Sequence, residues 1–425
     1  MSAAWQRDRR LWLTCLVAAI LVVSVLACAP PAKDSTATDQ KVEVEASAAT
    51  SWREVDPPVG SYSMAPNLVA AGEELYASWI ERFESSAGET RHRLMMATLS
   101  DEGWSAPATI AEGGDFFANW ADLPAIAVAE DGTLYAHWLA KTDEATYAYS
   151  IFLARSIDGG ETWSHLGRLN DDDTPTEHGF VTYTPEGEGV RAFWLDGREM
   201  VEEKPMTLRT AWIGETVSAS EVLEERVCEC CATDAALSGR GPVLVFRDRS
   251  DEEIRDIGVI RREADTWTVT NRVHADDWKI PGCPVNGPAI AAAGDTLAVV
   301  WYTAAGDHPK VQLAFSADAG ESFQTARVVD EGRPLGRVDV VLDGAGAAVV
   351  SWLEGVDAEA EVRLRRVWID GTSEDSVPIA RTTAARAGGF PRLARTADHL
   401  YLAWVETDGE EASRIRMREV PVTAL

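Results

Sequence analysis

A segment of about fifty residues recurs seven times along this chain, and this repeat restricts the fold more than any other feature. Each copy holds a short apolar run and, about 13 residues further on, an aromatic residue that closes a second apolar run. Two further short runs follow, and helical periodicity is absent over any long stretch. The closing aromatic residues are Trp79, Trp138, Trp194, Phe246, Trp301, Trp352 and Trp404. Such a period with four short strands per unit is typical of a β-propeller.

The repeats predict an all-β fold of seven four-stranded blades, with six blades as the alternative if one repeat is degenerate. The seventh repeat has only three strands before Leu425, the last residue of the sequence. Residues 51–55 precede the first repeat and are suited to supply the missing outer strand. We therefore expect a ring that is closed by an N-terminal strand, which removes an open sheet edge.

The N-terminal residues have the layout of an export signal. Arg7, Arg9 and Arg10 are followed by an uncharged apolar stretch from Leu11 to Ala27. The string Val-Leu-Ala-Cys that ends at Cys28 resembles a bacterial lipobox, in which the cysteine is lipidated. We expect residues 1–27 to be a lipoprotein signal peptide, residues 28–50 a flexible tether and residues 51–425 the propeller. An uncleaved anchor and plain secretion are the alternatives.

Charge restricts the partners that the chain can bind. Asp and Glu number 69 against 39 Lys and Arg, which gives a formal net charge of −30. A surface of this sign repels phosphate backbones, so we expect no nucleic acid partner. We expect a monomer that is held at the bacterial cell envelope, on the periplasmic or outer-membrane face, by its N-terminal lipid only. No Gly-rich phosphate loop is present, and no cofactor is predicted.

Two turns between third and fourth strands share a motif of the form Ser-x-Asp-x-Gly-x-Thr/Ser-aromatic. In such a turn the Ser and Asp side chains bind turn amides, and the Gly permits a positive φ. With these turns and the repeats around them, the chain resembles the sialidase-like Asp-box (BNR repeat) β-propellers over nearly its whole length. The resemblance implies structural roles, on the face opposite that family's active site, for Ser156, Asp158, Gly160, Trp163, Ser316, Asp318, Gly320 and Phe323.

In a propeller, the loops that lead into first strands and the loops that leave second strands lie on one face, here called the rim face. Sorting the sequence by this rule collects its unusual polar residues there. Polar groups that converge on one mouth of a ring are typical of a binding site. The residues concerned are Trp120, Asp122, His178, Arg198, Cys228, Cys230, Cys231, Arg247, Asp248, Arg249, Cys283, Tyr302, Arg337, Asp339 and Arg392.

Arginine is concentrated on this face although the chain is acidic, and its planar fork fits a carboxylate. The resemblance to sialidases implies an arginine clamp for a sugar carboxylate, a tyrosine nucleophile and an aspartate acid/base. The clamp candidates are Arg247, Arg249, Arg337 and Arg392, with Arg198 and His178 as further ligand-binding residues. The catalytic candidates are Asp248, Asp339 and Tyr302. They suggest a propeller that binds a glycan or small acidic ligand and, in the stronger hypothesis, hydrolyses it as an exo-sialidase-like glycoside hydrolase.

The first repeat departs from the sialidase pattern. An Arg-Ile-Pro string is expected there, and this chain has Met64, Ala65 and Pro66 instead. The departure leaves two other interpretations of the rim arginines open. They could form salt bridges that join neighbouring blades, and the protein could be a non-enzymatic binding or assembly scaffold.

Four cysteines lie in the propeller segment: Cys228, Cys230, Cys231 and Cys283. An exported protein meets an oxidising compartment, so an even number predicts two disulfides. Because the loops concerned lead into neighbouring blades, one bridge is expected to join Cys283 to the other three. The second would join Cys228 to Cys231 or to Cys230. The alternatives are a soft-metal site, with His178 or His274 as a further ligand, and a redox-active thiol.

Overall fold

The computed structural model describes residues 52–408 and 412–424, and it arranges them in seven antiparallel sheets. Innermost strands of neighbouring sheets contact one another around a ring. The prediction of an all-β, seven-bladed propeller is therefore confirmed. The described residues contain no helix that is long and apolar enough to cross a membrane. The signal peptide, the tether and lipidation of Cys28 lie outside the described residues.

Blades 1 to 4 follow one another along the chain, each from its innermost to its outermost strand. Blade 1 contains β2 (Ser63–Ala71), β3 (Glu74–Glu84), β4 (Thr90–Ser100), β5 (Gly103–Trp104) and β6 (Ala108–Gly113). Blade 2 contains β7 (Ala125–Val128), β8 (Leu134–Lys141), β9 (Tyr149–Ser156) and β10 (Ser164–Arg168). Blade 3 contains β11 (His178–Glu186), β12 (Gly189–Asp196), β13 (Thr207–Ile213) and β14 (Glu221–Glu224). Blade 4 contains β15 (Asp234–Ser238), β16 (Gly241–Arg247), β17 (Ile257–Glu263), β18 (Thr266–Trp267) and β19 (Asn271–Arg272).

The remaining blades have four strands each. Blade 5 contains β20 (Ala289–Ala293), β21 (Thr296–Thr303), β22 (Lys310–Ser316) and β23 (Arg327–Val328). Blade 6 contains β24 (Pro334–Leu342), β25 (Ala347–Val356), β26 (Glu359–Trp368) and β27 (Val377–Thr383). Blade 7 contains β28 (Arg392–Arg395), β29 (His399–Asp408), β30 (Ala412–Pro421) and β1 (Arg53–Glu54). Short 3-10 turns occur at Arg198–Glu202, Ala305–Asp307, Arg386–Gly388 and Val422–Ala424.

The ring is closed by the N-terminal strand, as the sequence predicts. Strand β1 pairs antiparallel with β30, with Arg53 opposite Glu419 and Glu54 opposite Arg418. The Arg53 side chain also donates a hydrogen bond of 2.9 Å from Nε to Oε1 of Glu419. Blade 7 is thus built from both ends of the propeller segment.

Apolar clusters lie between neighbouring blades, and the closing aromatic residues belong to them. Trp194 packs between blades 2 and 3, and Trp352 packs between blades 5 and 6. Both indoles are fully buried, and each N–H donates to an acid two residues later, Trp194 to Asp196 (2.8 Å) and Trp352 to Glu354 (2.7 Å). This spacing places a carboxylate where the second strand ends, so the buried indole N–H is not left unpaired.

The two Ser-x-Asp turns are held by their own side chains. In blade 2, Thr162 N–H donates to Oδ1 of Asp158 (2.9 Å), and Gly160 N–H donates to Oγ of Ser156 (2.9 Å). Gly160 has a φ of +94°, and a Cβ there would lie 2.5 Å from the sulfur of Met96, so glycine is required. The turn that contains Ser316, Asp318 and Gly320 in blade 5 makes the same hydrogen bonds.

Hydrogen bonds between neighbouring blades supplement the apolar clusters. In one recurring kind of bond, a side-chain oxygen on one blade accepts a backbone N–H from a neighbouring blade. The pairs, each with the acceptor first, are Asn67 and Ile126, Asp122 and Phe180, Asp234 and Ile290, Asn286 and Arg337, Asp339 and Leu393, and Ser63 and Ile415. Blades 3 and 4 are joined in the opposite sense, because the Thr233 hydroxyl donates to the carbonyl of Phe180 (2.8 Å).

Replacing Asp339 tests the role of these bonds. Its buried carboxylate accepts the N–H groups of Val340 and Leu393, both at 2.8 Å. Asp339→Ala is expected to lower the free energy of unfolding by about 1–3 kcal/mol for each N–H left unpaired. Asp339→Asn, which keeps one acceptor oxygen, should cost less. Urea denaturation checks both, with exposed Asp375→Ala in the same blade as the control. An unchanged midpoint for Asp339→Ala would contradict this role.

Candidate functional site

A channel of about 710 Å³ runs between the innermost strands. Small apolar residues form most of its lining, and Asp234, Asp339 and Arg392 contribute polar groups. Burial raises the pKa of Asp234 to about 7 and also raises the pKa of Asp339, while the charge of Arg392 acts against both shifts. Arg392 is the one predicted ligand-binding residue among the described residues that line this channel.

Arg247 connects two blades. Its side chain is 1% exposed, and its guanidinium donates to the backbone carbonyl oxygens of Asn286 (2.8 and 3.0 Å), Arg255 (2.7 Å) and Tyr302 (2.7 Å). Asn286 precedes blade 5 and Tyr302 lies within it, whereas Arg247 ends β16 of blade 4. Its donors are therefore used within the fold, and the predicted clamp does not form around this residue.

Arg337 also donates to backbone carbonyl groups. Its Nη1 lies 3.0 Å from the carbonyl oxygen of Ala385 and 3.1 Å from that of Gly389. Burial lowers its pKa to about 10. The guanidinium carbon lies 4.9 Å from the ring centre of Trp120, whose other contacts include a stacked Phe390 ring at 5.8 Å. Arg337 therefore holds an aromatic residue of the rim face in place.

Arg249 belongs to a compact group of ion pairs on blade 4. Arg249 and Arg255 both contact the carboxylate of Glu253, at 2.6 and 2.8 Å, and both contact Glu229. Two guanidinium groups thus face two carboxylates, and the charges balance within the group. These arginines therefore form salt bridges within blade 4 and the loop that leads into it, and the group does not join neighbouring blades.

Arg198 and His178 lie close together on blade 3. Arg198 Nε is 2.7 Å from Oδ1 of Asp196, and Arg198 Nη1 is 2.7 Å from Oδ1 of Asp171. His178 is fully buried, with Nε2 3.1 Å from Oδ1 of Asp172. Burial opposes protonation of His178, but the hydrogen bond with Asp172 and the charge of Asp196 raise its pKa. Arg198 and His178 are thus paired with carboxylates of the protein itself.

The three catalytic candidates lie in separate parts of the ring. Asp248 follows β16, Tyr302 lies in β21 and Asp339 lies in β24. Burial raises the pKa of each group, which for Tyr302 opposes its activation as a nucleophile. Among the described residues, no hydrogen bond joins any two of the three. The structure therefore does not assemble them into the predicted catalytic group.

A buried group that sequence reasoning missed lies between blades 2 and 3. The Tyr149 hydroxyl is 3.0 Å from Oδ2 of Asp122 and 2.7 Å from Oε1 of Glu177. Burial raises the pKa of Asp122 to about 8 and that of Glu177 to about 7. Because a hydroxyl donates only one hydrogen, the second short contact requires a protonated carboxyl. The raised pKa values supply that proton near neutral pH.

The sequence predicts Asp122 to be a residue of the rim face, but no sequence pattern relates it to Tyr149 or Glu177. It precedes β7, Tyr149 begins β9 and Glu177 precedes β11. Gly179 gives the only local signal, because a Cβ there would lie 1.8 Å from Oδ2 of Asp122.

A pocket of about 290 Å³, here called the rim pocket, lies where blades 7, 1 and 2 meet. Its lining combines aromatic rings with cationic and imidazole groups. The Arg82 guanidinium carbon lies 4.3 Å from the ring centre of Tyr62, and His92 lies opposite Arg82 in the β3–β4 pair. Burial and the charge of Arg82 lower the pKa of His92. The lining residues are Tyr62, Met64, Ala65, Arg82, His92, Ala118, Trp120, Ala387, Gly389, Val405, Thr407, Ala412 and Ser413.

The cysteines form one cluster where blades 4 and 5 meet. Cys230 and Cys283 are joined by a disulfide, which confirms the predicted bridge to Cys283. The second predicted bridge is not formed. Instead, Cys228 and Cys231 are buried thiols whose sulfurs lie 3.5 Å apart. Cys228 also accepts a hydrogen bond of 3.1 Å from Nη1 of Arg255.

No protein-family model matches the sequence, and no curated protein sequence matches it. An ulvan lyase of polysaccharide lyase family 25, bound to -[GlcA(1-4)Rha3S]-, is 11% identical and aligns over 87% of this chain and 96% of its own, with a TM-score of 0.53. The polysaccharide lyase Uly1 is 8% identical and aligns over 90% of this chain and 94% of its own, with a TM-score of 0.51. A Trypanosoma rangeli sialidase in complex with the inhibitor DANA is 11% identical over 80% of this chain and 59% of its own, with a TM-score of 0.44.

Identities of this size show the fold alone. The chain is a seven-bladed β-propeller whose fold is shared with polysaccharide lyases, and the sialidase is a more distant structural neighbour.

The buried carboxyl group of Asp122 predicts a pH-dependent stability. In the unfolded chain this group ionises near pH 4, whereas in the fold it keeps its proton up to about pH 8. Its contribution is therefore complete below about pH 4 and is lost as the pH rises towards 8. Relative to Asp122→Asn, which mimics the protonated form, the wild-type unfolding free energy should fall by up to about 1.4 kcal/mol per pH unit.

Urea denaturation of both proteins at intervals from pH 5 to pH 8 measures this difference. Asp171→Asn is a suitable control, since the pKa of Asp171 is lowered rather than raised. A wild-type-minus-variant difference that stays constant over this range would contradict the assignment of a protonated Asp122.

Proposed function

We propose that the protein binds an acidic glycan at the rim pocket. The observation that carries this proposal is the composition of the pocket, in which Tyr62 and Trp120 rings accompany the Arg82 guanidinium. Aromatic faces pack against the apolar faces of sugar rings, and a guanidinium binds a carboxylate or sulfate. Its volume of about 290 Å³ is near the lower end for small-molecule sites, which suits a short glycan segment.

The packing of Trp120 supports this site. Its ring is held by Phe390 and by the guanidinium groups of Arg337 and Arg386. A binding residue that is fixed before the ligand arrives loses little conformational entropy on binding. Two structural neighbours with TM-scores above 0.5 are polysaccharide lyases, and one was crystallised with a glucuronate-containing glycan. We propose binding and no cleavage step, because none of Asp248, Tyr302 and Asp339 lines this pocket.

Isothermal titration with glucuronate-containing and uncharged oligosaccharides tests the proposal. Arg82→Ala should weaken binding of the acidic glycan about tenfold or more, since a charge-assisted hydrogen bond is lost. Tyr62→Ala should weaken both kinds of glycan, because it removes a ring face. Tyr62 is 37% exposed and Arg82 is exposed, so both variants are expected to fold.

Arg381→Ala and Tyr147→Ala are matched controls, because both side chains are exposed and neither lines the rim pocket. Equal loss of binding in a control and in its pocket variant would contradict the site. Wild-type protein that binds none of the acidic oligosaccharides would contradict the function.

We also propose that the propeller is displayed at a bacterial cell envelope by lipid on Cys28, and that its two Ser-x-Asp turns are Asp boxes. The sequence around Val25–Cys28 supports the anchor, and the shared hydrogen bonds of the turns at Asp158 and Asp318 support the second assignment.

Metabolic labelling with radioactive palmitate tests the anchor. Wild-type protein should carry label and sediment with membranes, whereas Cys28→Ser should lose the label because the residue that carries the lipid is removed. Cys15→Ser should keep the label and serves as the control. Undiminished labelling of Cys28→Ser would contradict lipidation at this residue.

A further inference from the structure

The four cysteines in the cluster between blades 4 and 5 differ in how far their side chains are exposed to solvent. Cys228 and Cys231 are each 1% exposed, Cys230 is half-buried and Cys283 is exposed. The Cys228 sulfur lies within 4.8 Å of both sulfurs of the Cys230–Cys283 disulfide. It lies 3.5 Å from the Cys231 sulfur. A buried dithiol is therefore within reach of a disulfide that solvent can approach.

The surroundings of Cys228 favour a thiolate. The Arg255 guanidinium donates to its sulfur at 3.1 Å. The hydrogen bond with Cys231 and the charges of Arg247 and Arg255 lower the pKa of Cys228. Burial raises the pKa of Cys231. The surroundings thus favour a thiolate at Cys228 and a protonated thiol at Cys231.

We propose that these four cysteines form a thiol–disulfide exchange site whose substrate is an external disulfide. The buried Cys228–Cys231 dithiol is the source of two electrons, and the Cys230–Cys283 pair transfers them to the external disulfide.

The exchange begins when the Cys228 thiolate attacks the Cys230 sulfur. A Cys228–Cys230 bond forms, the Cys230–Cys283 bond breaks, and Cys283 leaves as a solvated thiolate. Cys283 is the better leaving group, because the exposed thiolate is more stable than a buried one. Cys231 then loses its proton to solvent and attacks Cys228, which forms Cys228–Cys231 and releases Cys230. The inner pair is now oxidised and the outer pair is reduced.

The reduced outer pair can react with an external disulfide. Cys283 attacks that disulfide and releases one thiolate, and Cys230 then attacks Cys283 and releases the second. The Cys230–Cys283 bond is restored. In total, the external disulfide takes up two electrons from the Cys228–Cys231 pair, which becomes a disulfide. The two released thiolates take protons from solvent, which has received one proton from Cys231.

The state of the sulfurs favours exchange over metal binding. The Arg255 guanidinium already donates to the Cys228 sulfur, which stabilises a thiolate. Two of the four sulfurs are already bonded to each other, so the cluster in this state offers only two thiol ligands.

Alkylation of the purified, folded, full-length protein with N-ethylmaleimide, followed by peptide mapping, tests the first part. If the pairs exchange, label accumulates on Cys230 and Cys283, and a Cys228–Cys231 disulfide appears. If they do not, all four cysteines stay unlabelled until denaturation, and label then falls on Cys228 and Cys231. That result would overturn the proposal.

A matched pair of variants separates the two steps. Cys228→Ser removes the attacking thiolate and should reduce labelling of Cys283 about tenfold or more, because Cys231 is protonated. Cys231→Ser blocks only the second step, so it should retain label on Cys283 and accumulate a Cys228–Cys230 disulfide. Circular dichroism checks that both variants fold. If either variant unfolds, the wild-type label distribution still decides the question.

Oxidised glutathione serves as the external disulfide. Wild-type protein should release two glutathione thiols per chain and end with two disulfides. A Cys230→Ser/Cys283→Ser variant, whose remaining propeller thiols are buried, should react at a rate about tenfold lower or lower still. Equal rates would overturn the role of the surface pair. Stoichiometric copper or zinc that requires Cys228 and Cys231 and is released by acid would identify a metal site instead.

Discussion

The ring depends on hydrogen bonds that cross from each blade to the next. Within a blade the antiparallel sheet pairs its own backbone groups, so side chains make most of the contact between neighbouring blades, and much of that contact is apolar. Apolar contact is not directional and does not fix how two sheets are rotated relative to each other. A side chain such as Asn67 or Asp339 that accepts one particular N–H from the next blade does fix that relation. Each of these acceptors is held at the innermost strands or beside the rim face.

The rim arginines extend the same principle. Arg247 and Arg337 reach across to carbonyl groups of a neighbouring blade, where no sheet partner is available. A guanidinium has five N–H donors and satisfies several carbonyl groups at once, which a lysine cannot do in this geometry. Arg247 and Arg337 therefore hold the loops of the neighbouring blade in place. Arg337 also positions the Trp120 ring, which lines the rim pocket. This structural arginine therefore contributes to the shape of the pocket.

The sequence was sufficient to predict the architecture. Three sequence features depend on the ring as a whole. The spacing of the closing aromatic residues gives the number of blades. The short seventh repeat and the segment before the first repeat together indicate how the ring is closed. Seven blades, closure by β1 and the bridge to Cys283 followed from them. Buried indoles could be predicted for the same reason, because a repeated position in a repeated fold has the same neighbours in every copy.

The site could not be predicted to the same extent. The repeats place Arg247 at the end of a second strand, but whether its guanidinium turns towards solvent or towards a carbonyl group depends on the loop of the next blade. Tyr149 and Glu177 belong to different blades, and only the folded ring brings them to Asp122. Arg82 and His92 form an ordinary cross-strand pair in the sequence, and the pocket beside them exists only because blades 7 and 2 complete it.

Closure of the ring by β1 also has a kinetic consequence. Arg53 and Glu419 are 366 positions apart, so this pairing has a sequence separation close to the length of the domain. Contacts of such separation carry the largest loop-closure entropy, so we expect this pairing to form late, after the intervening blades are in place. Until then the outer edge of β30 presents unpaired N–H and C=O groups. In that interval a strand from another molecule competes with β1 for the same edge, so the folding step at greatest risk of aggregation is the last one.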